Sequence, residues 1–219
     1  MTTRLAIISD VHADVHALTD ALAMINGLAC DAIVCAGDVI DFGLFPVETI
    51  ALLAERKIPT ILGNHDQWAL GEIPLIGLGG SWTDEIRESR VSMAWLRSLP
   101  ASWRATFDGV RVALHHGSPR GGNMTGIDPT DLTRAEAIEL LDSAEADVLI
   151  VGHTHRAFEV VVEGRGVILN PAALLRDPAE GAENPPATAT FGVLELPSRR
   201  FELHSVRRGE VRAAWRRTL

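Results

Sequence analysis

The sequence predicts a mixed α/β fold of two packed sheets with helices outside them. Two features of the 219-residue chain carry that expectation. The first half alternates short apolar runs with helical stripes, the pattern of strand–helix–strand units joined by right-handed parallel crossovers. The tail, from Phe158 onward, is rich in strands separated by turns, which suits antiparallel pairing.

The elements follow in order. Leu5 to Ile8 is an apolar run and reads as the first strand. Val15, Leu18, Leu22 and Ile25 form one helical stripe, with Asp14 as N-cap and Gly27 as stop. Ala32 to Ala36 reads as the second strand. Pro46 suits the first position of a helix running to about Arg56. Pro59 to Leu62 reads as the third strand. Trp68 to Gly80 reads as loop, and Thr83 to Leu99 as a helix stopped by Pro100. Trp103–Phe107 and Val110–Leu114 form a hairpin across Asp108-Gly109. Arg120 to Pro129, with three glycines, reads as a mobile loop. Thr133 and Glu136 make a capping box for a helix ending near Ala144. Val148 to Val151 is a short buried strand. Further strands are expected at Phe158–Val162, Val167–Leu169, Thr190–Leu196 and Phe201–Val206, with a polar surface loop at Asp177–Pro186. No repeat or linker divides the chain, so one domain over residues 1–219 is expected.

Composition narrows the function. A formal charge of −9 argues against broad nucleic-acid binding and suits a protein that holds divalent cations. No apolar run approaches the roughly 18–20 residues of a membrane helix, and no signal-peptide layout is present. Cys30 and Cys35 match no zinc motif. Cys35 lies in an apolar run, which fits a buried free thiol and a reducing cytoplasm. The apolar tail strands would suit a completed sheet or a homo-oligomer interface equally well.

Five polar clusters each follow an apolar run: Asp10-Val11-His12, Gly37-Asp38, Gly63-Asn64-His65-Asp66, His115-His116-Gly117 and Gly152-His153-Thr154-His155. Ligands of open α/β sheets gather at the carboxyl ends of strands. Carboxylates, imidazoles and one amide converging there have the chemistry of a two-metal hydrolytic site. Asp10 and His12, and likewise His153 and His155, are two residues apart and would point the same way on extended backbone. Asp38, with two carboxylate oxygens, can bridge two cations. Asn64 can offer its amide oxygen while His65 stays free for proton transfer. Of the adjacent histidines, His116 lies further out and is the better ligand, leaving His115 to pack elsewhere. Taken singly, each cluster also suits a turn or a helix cap; the conjunction is the signal.

In this order the clusters resemble the calcineurin-like metallophosphoesterase superfamily, whose pattern is D-x-H, GD, GNH(D/E), H and GHxH. Ile8-Ser9-Asp10-Val11-His12, Ala36-Gly37-Asp38-Val39, His116-Gly117-Ser118-Pro119 and Asn170-Pro171 resemble the small bacterial phosphodiesterase branch that lacks a cap domain. The resemblance implies a four-layer αββα sandwich of two mixed sheets flanked by helices. It implies one metal held by Asp10, His12, Asp38 and His155, and a second held by Asp38, Asn64, His116 and His153. Asp41 gives a D-x-x-D spacing with Asp38. This resembles the protein-phosphatase branch, where the second aspartate orients the catalytic histidine; a turn aspartate is the alternative. Ala13-Asp14 and Ala172-Ala173 depart from the branch pattern, and the second departure leaves the substrate open.

The expected activity is hydrolysis of a phosphodiester or related small phosphoester. Two divalent ions share a hydroxide that attacks phosphorus, and His65 donates a proton to the leaving oxygen. Mixed O/N ligands suit Mn, Fe, Ni, Co or Zn. Alternatives are phosphomonoester or dinucleoside-polyphosphate hydrolysis at the same site, or a non-catalytic protein-binding scaffold of the same fold. Arg120 on its glycine-rich loop, and Trp68 and Trp82 as stacking rings, are further candidates for substrate contact.

Overall fold

The structure, a computed structural model, describes residues 2–72, 86, 88–176, 189–206, 211–212 and 215–219. The expected surface loop over 177–186 and Trp82 lie outside these residues, as does much of the first half of the helix expected over 83–99.

Two sheets form the centre. The first has five strands in the order β10 (Val211–Arg212), β9 (Arg200–Ser205), β8 (Thr190–Leu196), β1 (Thr3–Ile8) and β2 (Ala32–Cys35). The second has six, in the order β11 (Trp215–Thr218), β6 (Phe158–Val162), β7 (Gly166–Asn170), β5 (Val148–Ile150), β4 (Val110–His115) and β3 (Ser102–Phe107). Both are mixed. β1 pairs parallel with β2 through α1 (Val15–Gly27) and antiparallel with β8. β4, β5 and β7 run parallel, β3 is antiparallel to β4, β6 is antiparallel to β7, and β11 runs parallel to β6.

Alternation along the strands builds the layers. Leu5 and Ile7 of β1 enter the core between the sheets, together with Val112, Leu114, Val148, Ile150, Val167 and Leu169 of the second sheet. Ala6 and Ile8, the other face of β1, pack under α1 and α2 (Pro46–Glu55) with Leu18, Leu22, Ile50 and Leu53. On the far side, Ala113, Leu149 and Ile168 pack under α5 (Arg134–Ser143) with Ala137 and Leu141. A period of two on each strand thus supplies two cores per sheet, and the result is the αββα sandwich.

Local signals hold where their chemistry is specific. Asp14 caps α1 by accepting from the Ala17 N–H at 2.8 Å, and Thr133 and Glu136 form their box at α5. Asp108 and Gly109 take φ of 48° and 82°, the left-handed pair a two-residue hairpin turn requires. α4 (Arg90–Ser98) is the described part of the helix before Pro100, capped by Ser89. Three expectations change. The third strand shrinks to one parallel bridge, Cys35 to Thr60, because this segment leaves the sheet edge at once. The loop expected from Trp68 begins as helix, since α3 runs Asn64–Leu70 and ends on left-handed Gly71. β10 and β11 were not expected from the tail sequence.

Candidate metal centre

The five clusters meet at the carboxyl ends of β1, β2, β4 and β5 and at the N-terminus of α3. Asp10, His12, Asp38 and His116 are almost fully buried there. The backbone carries unusual strain. Asp10, His12, Asp38, His153 and His155 all take left-handed φ, at 51°, 48°, 51°, 67° and 53°. Such residues persist only where surrounding bonds over-determine them. Here Asp10 N–H donates to Gly37 O at 2.9 Å, His12 N–H to Asp38 O at 3.0 Å, and His153 N–H to the Asp10 carboxylate at 3.0 Å. The pairs Asp10/His12 and His153/His155 therefore converge through sharp turns. Neither pair lies on extended backbone, contrary to expectation. Gly37 (φ 93°) permits a close approach: a Cβ there would sit 2.8 Å from the Gly63 nitrogen.

Donor atoms fall into three groups whose members lie within 4.8 Å of one another: Asp10, His12 and His155; His12, Asp38 and His65; Asp38, His116 and His153. Asn64 joins the last, with its Oδ1 at 3.0 Å from His116 Nε2 and 2.8 Å from His153 Nδ1. Asp38 is shared, its Oδ2 being 3.1 Å from His116 Nε2 and 3.9 Å from His12 Nε2.

Proton inventories test whether these residues suit a cation. His12 Nδ1 faces Ile40 O at 3.1 Å and His116 Nδ1 faces Ala36 O at 2.8 Å. A carbonyl only accepts, so Nδ1 carries the proton in both rings and the neutral ring aims a lone pair from Nε2. His12 Nε2 then faces His155 Nε2 at 2.9 Å, and His116 Nε2 faces two acceptor oxygens. Acceptors converging on acceptors fit cations. Charge agrees. Burial would raise Asp38, yet His116 and its hydrogen bond hold it far below the usual carboxylate range. Burial opposes a charge on His116 too, but the Asp38 carboxylate pushes it up to about 10, so without a cation a proton sits on Nε2 between the two oxygens, in the place a metal would take. Burial pulls His12 down to about 4, leaving a neutral imidazole suited to ligation.

His65 stands apart. Its Nδ1 lies 2.7 Å from Asp41 Oδ2, which leaves Nε2 facing the Asp38 side at 3.9 Å from Oδ2. Asp41, expected either to orient this ring or to shape a turn, contacts the ring and takes a left-handed φ of 76°. The ring of His65 lies between Trp68, edge-on at 4.2 Å, and Phe42 at 4.9 Å. Its backbone N–H donates to Asp38 Oδ1 at 2.9 Å.

Supporting residues escaped sequence reasoning. Asp66, fully buried, accepts from Gly63 N–H at 2.9 Å and Val39 N–H at 3.0 Å, tying two clusters together. Burial and the nearby Asp38 push its carboxyl up to about 6. The signal was present: a carboxylate at the third position of a helix beginning after Gly63. Ser9 Oγ–H donates to Asp10 Oδ2 at 2.5 Å. Asn170 donates to Gly152 O at 2.7 Å, and Ala173 and Leu174 behind it are buried, so the altered tail segment braces the site from beneath. Arg120 pairs with Glu139 at the surface, its side chain 57% exposed, and does not join the cluster. His115 packs away from it, as expected, its imidazole lowered by burial.

The sequence profile of the calcineurin-like phosphoesterase superfamily domain matches residues 3–196. An uncharacterized protein of Methanocaldococcus jannaschii is 26% identical over 168 residues, covering 73% of this chain; the chain spans 65% of that relative. A metallophosphoesterase from Sphaerobacter thermophilus superposes with a TM-score of 0.67 at 24% identity, covering 96% of this chain and 89% of that one. A hypothetical protein from Pyrococcus horikoshii superposes with a TM-score of 0.76 at 18% identity, covering 93% and 87%. With the profile spanning most of the sequence and the ligand geometry in place, this chain belongs to the calcineurin-like phosphoesterase superfamily.

Proposed function

We propose that the chain is a metal-dependent phosphoesterase acting on a small phosphodiester. Asp10, His12, Asp38 and His155 would hold one divalent ion, and Asp38, Asn64, His116 and His153 the other. The observation that carries this reading is the shared position of Asp38 between two imidazole groups, beside a histidine fixed by its own carboxylate. Bound there, the ions would supply Lewis-acid polarisation of the phosphoryl oxygens and a nucleophile at neutral pH. The mixed O/N donor set suits Mn, Fe, Ni, Co or Zn.

The chain's own residues do the rest. Asn64 adds a donor oxygen without adding charge, which keeps the second site open to an anionic substrate. His65 donates a proton from Nε2 to the departing oxygen as the phosphorus–oxygen bond to the leaving group breaks and water supplies the new one. Asp41 is a positioning residue: it fixes the ring and directs Nε2 to the cluster. A protein-binding scaffold would need neither the His65–Asp41 pair nor the paired donors, so the enzymatic reading is favoured. We read the chain as one domain. Two free cysteines suit a reducing cytoplasm; burial pushes the Cys35 thiol up to about 12 and makes it inert.

The test is hydrolysis of bis(p-nitrophenyl) phosphate and p-nitrophenyl phosphate by protein loaded with each candidate metal, with metal content measured alongside. Turnover of the diester that depends on metal and on Asp38 supports the reading. Metal-loaded protein that cleaves neither ester ends it.

A further inference from the structure

Phe42 is a large apolar side chain left 43% exposed in the middle of a charged site. Its ring centroid is 4.7 Å from that of His12 and 4.9 Å from that of His65. It stands there at a conformational cost, with a left-handed φ of 61° that a bulky residue rarely takes. Three bonds impose the position. Phe42 N–H donates to Asp41 Oδ1 at 3.0 Å, Gly43 N–H to His12 O at 2.8 Å, and Phe45 N–H to Ala13 O at 3.1 Å. Gly43 is so tightly seated that any Cβ would collide with the His12 carbonyl. The same turn therefore fixes Asp41 against His65 and presents Phe42 outward beside it. Neighbouring Leu44 is 63% exposed. On the loop over 121–126, Met124 is 46% exposed, while Gly126 packs against His153 and Thr154. Among the described residues, three of the four exposed large hydrophobic side chains thus lie on loops that border the metal-ligand cluster.

We propose that Phe42 is a specificity-determining residue, a platform for a planar aromatic ring carried on the leaving-group side of the substrate. This rests on the phosphoesterase reading and deepens it by naming the substrate class. The proton donated by His65 Nε2 goes to the departing oxygen, so whatever is attached to that oxygen lies beside the aromatic rings flanking His65. Phe42 is the exposed one of these. An aryl alcohol or a nucleoside leaving group would cover it and remove apolar surface from water; a short alkyl group would not. Stacking of this kind is worth about 3- to 10-fold in affinity beyond simple burial.

The experiment measures binding, by calorimetry on Mn-loaded protein, of phenylphosphonate against methylphosphonate, which have no ester bond to cleave. AMP against ribose 5-phosphate forms the second arm and distinguishes a nucleoside from a simple aryl group. Wild type is expected to prefer the ring-bearing ligand of at least one pair. Phe42→Ala is expected to lose that preference by about 3- to 10-fold, Phe42→Trp to keep it, and both to retain wild-type metal content. No ring preference in wild type, or a preference unchanged in Phe42→Ala, overturns the platform. So does metal loss in Phe42→Ala with equal weakening of both ligands, which would make Phe42 a shield for His12. Ester hydrolysis measured in parallel keeps the two ideas apart. A ring preference lost in Phe42→Ala without any hydrolysis sinks the phosphoesterase reading and leaves Phe42 only as a ring-binding residue with no leaving group to hold; hydrolysis without ring preference keeps that reading and overturns the platform.

Discussion

His65 Nδ1 and Asp41 Oδ2 lie 2.7 Å apart, and this contact decides which nitrogen of the ring can serve chemistry. A carboxylate only accepts, so Nδ1 carries the proton and Nε2 is directed to the cluster. Burial would raise the Asp41 carboxyl, but its bond to His65 holds it below its ordinary value, so it is ionised at neutral pH. His65→Ala should retain metal and lose about 10²–10⁴ in kcat. Asp41→Asn should retain metal and lose about 10-fold or more in kcat with KM little changed, since an amide no longer fixes which ring nitrogen carries the proton. The decisive measurement is the double variant. Asp41→Ala combined with His65→Ala should be no slower than His65→Ala alone, because Asp41 acts only through the ring. Full additivity would show that Asp41 has a separate task.

Asp38 is the residue asked to face both ligand groups, so its loss should differ from that of any other ligand. Asp38→Asn is the cleaner variant, because its remaining oxygen can still accept from the His65 N–H that Asp38 Oδ1 now binds at 2.9 Å. Bound metal measured by elemental analysis should fall at both sites in Asp38→Asn. In Asn64→Ala it should fall mainly at the His116/His153 side. Metal should raise the unfolding free energy of wild type by about 2.7 kcal/mol per occupied site at a hundredfold excess over Kd, and that of Asp38→Asn far less. Equal metal loss in Asn64→Ala and Asp38→Asn would contradict a shared carboxylate.

Away from the site, Asp147 gives a pH-dependent contribution to stability. Its carboxylate takes a forked pair from Arg111, Nε at 3.1 Å and Nη2 at 2.8 Å, plus the Arg111 N–H at 3.0 Å. The Arg111 bond is the largest cause that draws the Asp147 pKa down to about 2, against some opposing burial. A depressed carboxylate pKa stabilises above the unfolded value near 3.9 and loses that contribution as pH falls through the folded value. Asp147→Asn should therefore be less stable at pH 7, by about 1 kcal/mol for so exposed a pair. Urea unfolding at pH 7 and pH 3 should show the gap narrowing at the lower pH. A gap that widens on acidification would reverse the assigned sign.

Much of this molecule is legible in the sequence, for reasons that differ by residue. Leu5, Ile7, Ala6 and Ile8 announce a strand buried on both faces because the run is apolar throughout, and their alternation assigns each to one core. Asp14 and Thr133 mark helix starts because a side-chain oxygen there has a local partner. The candidate ligands could be named because their types recur after apolar runs. The manner of their convergence could not, since it rests on left-handed φ at Asp10, His12 and Asp38, imposed by long-range bonds that no local preference foretells. Asp66 is legible only in half: its bond from the Gly63 N–H is a local helix cap, whereas its bond from the Val39 N–H forms only when two loops meet. Thr60 failed as a strand because pairing beyond one bridge depends on where the neighbouring chain runs.

Gly63 makes the final prediction, and it separates space from backbone angle. Its φ is −95°, which any residue adopts, so alanine brings no torsional strain. The added Cβ would nevertheless land on the Asp38 carboxylate and backbone nitrogen, in a pocket already filled. Gly63→Ala should push Asp38 out of place, lose metal and abolish turnover, although Gly63 itself offers no ligand atom. Overpacking of this kind also costs about 1–3 kcal/mol in unfolding free energy. Gly71 is the contrast, with φ of 73° and nothing within 4 Å of a Cβ. Gly71→Ala should lose roughly 1 kcal/mol through its left-handed angle alone, with metal content unchanged. If Gly63→Ala binds metal and turns over like wild type, then the Asp38 loop is free to shift and the close packing around Gly63 does not hold the carboxylate in place.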